Sequence, residues 1–131
     1  MKAKIFVSYS RKDSAAARKL IDAFEKMDYD VWVDWEDIPP ATHWMEQIEA
    51  GIEKSDAFVF FISPDSIASE VCNVELEHAA KYNKRIIPIV LRQVDAKTTS
   101  DTIRELNWIF MDEKGKIEKG LGLFKDAMEL D

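Results

Sequence analysis

Two rhythms of apolar residues alternate along this chain. Short β-branched and aromatic runs give way to stretches with apolar positions every three or four residues, which predicts strands and helices in turn. Ile5 to Ser8 reads as a first strand, and Tyr9-Ser10-Arg11-Lys12 as a polar loop with Asp13 or Ser14 placed to cap a helix. In that helix Ala16, Leu20, Ala23, Phe24 and Met27 form the inward stripe. Val31 to Val33 is a short second strand suited to a sheet edge. A loop from Asp34 to Thr42, stiffened by Pro39-Pro40, leads to a helix starting at Thr42, with Met45, Ile48 and Ile52 inward. Phe58 to Ile62 is apolar at every position, as expected of a central strand covered on both faces.

The chain then turns at Ser63-Pro64 and enters a helix near Ser69. Winding residues 70–84 at about 100° per residue puts Cys72, Leu76 and Ala79 on a core seam, and Glu70, Asn73, Glu77, Lys81 and Lys84 on a solvated side. Glu75 belongs to neither group; it shares a flank with Val71, His78 and Tyr82. Arg85 to Val90 is a fourth strand, where Pro88 predicts an edge or an unpaired site in the ladder. Leu91 to Asp95 reads as a loop, Thr98 to Leu106 as a short helix and Trp108 to Phe110 as a fifth strand. Ile117, Leu121, Phe124 and Met128 mark a final amphipathic helix. Five strand-helix units predict an α/β fold: a five-stranded parallel sheet of order 2-1-3-4-5 with helices on both faces.

Composition narrows the function. A chain of 131 residues that is 47% apolar suits a single domain. A net charge of -7 opposes non-specific attraction to nucleic acid or anionic lipid, so neither is expected as a partner. Cys72 is the one cysteine and His43 and His78 are the two histidines, which leaves no internal disulfide and no spaced zinc set, so no metal is expected. No apolar run approaches the about 18–20 residues of a membrane span and no signal pattern follows Met1, so the expected location is the cytoplasm.

In the 2-1-3-4-5 order the crevice lies between the first and third strands. There Tyr9 to Lys12 would face Ser63 to Glu75, with the Trp35 loop beside them. Arg11 and Lys12 suit phosphate, Trp35 or Trp44 a flat base, and Glu75 supplies negative charge, a set that fits a nucleotide. Each also has a plainer reading: Arg11 and Lys12 as solvated loop charges, Trp35 folded onto its own domain, Cys72 as a small core residue, Glu75 as a tolerated boundary carboxylate. The chain lacks GxGxxG and P-loop patterns, so hydride transfer and ATP hydrolysis have no support.

The segments KIFVSYSRKD, VWVDWEDIPP, FVFFISPDS, SEVCNVELEHA and KRIIPIVL, in this order, resemble a TIR (Toll/interleukin receptor) domain of the bacterial type over essentially the whole chain. The resemblance implies a flavodoxin-like fold and one of two activities. Many members cleave NAD+ to nicotinamide and ADP-ribose or a cyclic isomer, in immune or stress signalling; others only assemble into signalling scaffolds. The family's catalytic glutamate falls on Glu75, and its tryptophan four residues earlier falls on Val71, where this sequence departs from the WxxxE pattern. The expected substrate contacts are Tyr9, Ser10, Arg11, Asp34, Trp35, Trp44, Ser63, Val71 and Cys72, with NAD+ as substrate and no further cofactor. The 34–42 loop is expected to mediate self-association, and a fused sensor or effector domain is expected beyond Asp131. A phosphorylatable receiver shares the fold, but the third strand ends in Ile62-Ser63 and the first in Ser8-Tyr9, neither offering the required acidic residues.

Overall fold

The computed structural model describes residues 2–33 and 44–130. At its centre lies β3 (Ala57–Ile62), every residue of which is buried. A strand that is apolar on both faces must be covered on both, and alternation divides its side chains between two cores. Phe58, Phe60 and Ile62 join Phe6, Ile48, Ile52, Leu76 and Ala79. Ala57, Val59 and Phe61 join Ile5, Val7, Leu20, Ile21, Phe24 and Phe124.

Around β3 stand β1 (Lys4–Ser8), β2 (Asp30–Val33), β4 (Arg85–Val90) and β5 (Ile109–Phe110). All pairings are parallel, in the order β2-β1-β3-β4-β5, with Ser8 opposite Phe60 and Phe60 opposite Pro88. This is the flavodoxin-like order the sequence predicts. Helices α1 (Ser14–Lys26) and α6 (Ile117–Glu129) cover one face. The other face carries α2 (Trp44–Lys54), a short α3 (Pro64–Ala68), α4 (Glu70–Lys81) and α5 (Asp101–Arg104). Among the described residues no helix is long and apolar enough to cross a membrane.

Several local details differ from expectation. In α1 the buried stripe is Ala17, Leu20, Ile21 and Phe24, while Ala16 is exposed. Burying Ile21 removes more apolar area from water than burying Ala16, so the helix rotates toward its larger side chains. The Ser63-Pro64 turn is itself the start of α3: Ser63 and Ser66 form a reciprocal capping box around Pro64 at the first helical position. Ser69 then starts α4, its Oγ accepting from the Cys72 N–H at 3.2 Å. The helix expected over Thr98 to Leu106 shrinks to α5, because Asp95 and Ser100 each cap a separate turn. Trp108 lies outside β5 and donates its indole N–H to the Ile103 carbonyl at 2.9 Å. Pro88 lies one place before the β4–β5 ladder begins at Ile89, so it has no β5 residue opposite it.

Two adjacent cations at the start of β4 fasten both helical layers. Lys84 Nζ donates to the carbonyls of Glu53 (2.6 Å) and Ser55 (2.8 Å) at the end of α2. Arg85 donates to the carbonyls of Ala127 and Met128, both at 3.0 Å, and to Leu130, at the end of α6. Both fill carbonyls that a helix C-terminus leaves without intrahelical partners, and both oppose the negative end of the helix dipole. Lys84 is therefore half-buried rather than on a solvated side.

Candidate active site

Glu75 lies on α4 where that helix packs over β1 and β3. Its flank position predicts a boundary residue, yet it is 1% exposed. The buried arc of α4 is thus wider than the Cys72, Leu76 and Ala79 seam, because β1 passes beneath the flank. Along β1, Ile5 and Val7 point to the α1/α6 core, and Phe6 points to the other. Ser8 follows Phe6 on that second side and donates its Oγ–H to Glu75 Oε1 at 2.7 Å. A buried carboxylate is costly unless hydrogen-bonded, and a serine hydroxyl at a core position of a central strand supplies such a bond.

A second polar group ties together the loops at the same ends of β1, β3 and β4. Asp13 follows β1, and its side chain is 4% exposed. Its Oδ2 accepts from Ser63 Oγ at 2.5 Å, and its Oδ1 accepts from Arg92 Nε at 3.0 Å, with the same guanidinium's Nη2 at 2.8 Å. Arg92 also pairs with Asp65, which Lys12 Nζ approaches at 3.7 Å. The Arg92 hydrogen bond holds the Asp65 carboxyl below its ordinary range, and Asp65 in turn raises the Arg92 guanidinium. Asp13 therefore does not cap α1 with its side chain, as the sequence suggests; it is spent on cross-linking loops.

The predicted contacts separate into groups. Ser63 is fully buried and committed to Asp13 and to the α3 cap. Tyr9 is buried in the opposite core, its ring 6.2 Å from that of Phe61, so the structure does not bring it to the Glu75 side. Ser10 is half-buried and caps a 3-10 turn by accepting from Lys12 N–H at 3.3 Å, and Arg11 is exposed. Cys72 is 3% exposed in the core, and Val71 is 40% exposed beside Val74 at 41%. Asp34, Trp35 and the helix start expected at Thr42 lie outside the described residues; Trp44 is the first residue of α2. His78 faces α2, with Nδ1 4.0 Å from Glu49 Oε1 and Nε2 3.8 Å from Glu53 Oε1, and its ring lies 4.6 Å from that of Tyr82. Sequence reasoning missed Ser8, Asp13 and Arg92 as members of these networks. A signal existed for Ser8 alone: a hydroxyl in register with Phe6 on a buried strand needs a partner. Among the described residues, no group of three His, Cys, Asp or Glu side chains is placed to hold a metal ion.

A doubly wound α/β domain with a buried carboxylate over its β1/β3 switch point is the class that fold and site define. The chain belongs to the TIR domain family, whose model matches residues 5–122. It is 36% identical to Toll-like receptor 6 of Homo sapiens over 75 residues, which cover 56% of this chain and 9% of that protein. It is 27% identical to the "Putative cyclic ADP-D-ribose synthase TIR2" of Cytobacillus dafuensis over 94 residues, 66% of this chain and 25% of that protein. The chain thus spans at most a quarter of the length of these relatives. Among solved structures, the TIR domain of the Toll-related receptor TRR-2 from Hydra magnipapillata superposes with a TM-score of 0.80 at 21% identity, covering 94% of this chain and 96% of that one. A TIR-STING receptor from C. gigas gives 0.75 at 20% identity, covering 96% of this chain and 40% of that one.

Proposed function

We propose that this domain cleaves the nicotinamide–ribose bond of NAD+, giving nicotinamide and ADP-ribose or a cyclic isomer, with Glu75 as the catalytic residue. The observation that carries this reading is the burial of the Glu75 carboxylate beside the β1/β3 switch point, held by Ser8. A carboxylate so placed has no packing benefit, and the name of the Cytobacillus relative supports the same chemistry. In NAD+ the nicotinamide is already a cationic leaving group. The C–N bond breaks with its electron pair going to the nicotinamide nitrogen, and positive charge develops on the ribose. A fixed carboxylate stabilises that charge. Water then adds to the ribose carbon and loses a proton, giving ADP-ribose, or an adenine nitrogen adds and closes the ring.

Ser10 and Arg11 would serve the phosphates, Trp35 or Trp44 the base, and Val71 would leave the nicotinamide ribose pocket wider than a tryptophan there. Self-association through the 34–42 loop would switch the activity on in the cytoplasm, under control of a fused sensor or effector domain. Concentrated protein incubated with NAD+ should release nicotinamide, and Glu75→Ala should lower the rate by about a hundredfold or more. Release by Glu75→Ala at the wild-type rate would overturn the reading.

A second reading, a non-catalytic scaffold, is favoured by the identity to Toll-like receptor 6 and by the exposed Val71 and Val74 on α4. Clear oligomers without nicotinamide release at any protein concentration would select it.

A further inference from the structure

We infer that Ser8 is a positioning residue for Glu75: its hydroxyl keeps the buried carboxylate ionised and fixes its direction. The inference deepens the proposed reaction and rests on Glu75 being its catalytic group.

Three observations carry it. The Ser8 Oγ to Glu75 Oε1 distance of 2.7 Å is that of a full-strength O–H···O hydrogen bond, which is stronger when its acceptor is an ionised carboxylate. Ser8 is 0% exposed and Glu75 1%, so water competes little for either partner. The donor is also rigid, because Ser8 ends β1 with its backbone in register against Phe60 of the central strand. A donor aimed by a sheet needs no reorganisation during reaction, which is the requirement for electrostatic preorganisation. With one oxygen bonded to β1, the range of the carboxylate's last torsion is narrowed, and with it the direction of the other oxygen. A serine is otherwise a poor choice at this position. Phe6, two residues earlier on the same side of β1, is packed in the core, and an apolar residue at position 8 would extend that core.

On α4, His78 lies one turn beyond Glu75, and from α2 Glu49 and Glu53 face His78. Their titration is separated from that of Glu75 by repeating the measurement in His78→Gln.

The test follows the Glu75 carboxyl carbon by NMR against pH in glutamate-labelled protein, assigned by comparison with Glu75→Gln. Removing a donor to the charged form disfavours ionisation, so Ser8→Ala should raise the Glu75 midpoint by about one pH unit. In nicotinamide release, kcat of Ser8→Ala should fall about tenfold with KM nearly unchanged, since the lost interaction acts on the transition state. The acid limb of the rate profile should move up with the midpoint. Ser8→Thr, which keeps the hydroxyl on a strand-favouring side chain, should restore both. Should Ser8→Ala fail to fold, Ser8→Cys, nearly isosteric but a weaker donor, should shift the midpoint in the same direction by less. An unchanged midpoint in the folded Ala or Cys variant overturns the inference. The NMR readout does not depend on turnover: nicotinamide release by Glu75→Gln at the wild-type rate would reject the proposed reaction, while the midpoint would still decide whether Ser8 controls Glu75.

Discussion

Two glycines in α6, two residues apart, make a controlled experiment on how that helix is seated. A Cβ built on Gly120 would stand 2.6 Å from Met111 Cγ, 2.9 Å from Met111 Cε and 3.3 Å from Ile109 Cγ2, whereas a Cβ on Gly122 meets nothing within 4 Å. Carbon–carbon contacts are comfortable at about 3.5–4.0 Å, so Gly120→Ala drives a methyl about 1 Å into Met111, which is itself 4% exposed. Relief requires a rotamer change in a packed side chain or a shift of α6 away from β5, and such overpacking costs about 1–3 kcal/mol. Either substitution gains about 1 kcal/mol of helix propensity. Subtracting one variant from the other cancels that gain and leaves the packing cost alone. Gly122→Ala should therefore raise stability by about 1 kcal/mol, and Gly120→Ala should fall about 1–3 kcal/mol below it. Urea denaturation of both variants, with unchanged m-values as the check on two-state behaviour, measures the difference. Met111→Ala in the Gly120→Ala background should recover part of the loss, a coupling that a double-mutant cycle reads directly. If Gly120→Ala proved as stable as Gly122→Ala, the close seating of α6 on β5 would be wrong.

Two further expectations concern charge. Asp65 and Asp112 have lowered pKa values, Asp65 chiefly through its hydrogen bond with Arg92 and Asp112 chiefly through Gln93, so each contributes stability above the ordinary carboxyl pKa of about 3.9 that is lost as pH falls through the lower folded value. Arg92→Met should flatten the acid side of the stability–pH curve measured by urea unfolding. On the alkaline side Tyr29 is raised by burial and Tyr82 by its hydrogen bond with Glu53, so stability present below about pH 10 is lost as pH rises, and a Tyr29→Phe/Tyr82→Phe double variant should lose less. Removing either helix clamp, Lys84→Met or Arg85→Met, should cost about 1–2 kcal/mol by the same unfolding measurement, and the two losses should add because the clamps act on opposite layers.

The sheet order was legible because each strand was short, apolar and bounded by turn residues, and the all-apolar run before Ser63 could only be central. The α4 seam was legible for a similar reason, since Cys72, Leu76 and Ala79 repeat at helical spacing with charges opposite. The Glu75 position was not, because a helical wheel reports angle around one helix and not what passes beneath its flank. Burial of Glu75 depends on β1, 67 residues away in sequence. The Asp13–Ser63–Arg92 network was hidden for the same reason, as its members come from three loops that meet only when the sheet is assembled. The short α3 was locally legible: Ser, Pro and Ser at the cap, first and third positions spell a helix start, and reading Ser63-Pro64 as a plain turn overlooked the second serine. Tyr9 shows the opposite failure, where a residue placed in the crevice by its loop is drawn by strand alternation into the other core.

The paired clamps at Lys84 and Arg85 give the domain an uneven mechanical character. At one end of the sheet, neighbouring residues rivet a helix on each face to the same strand, so the two layers cannot slide past each other there. At the other end the polar ties of Asp13, Ser63 and Arg92 run along the sheet from loop to loop, and Ser8 ties β1 to α4 through Glu75. Helix α2 is fixed to the sheet at its trailing end by Lys84, and along its length by Ile48 and Ile52 in the core.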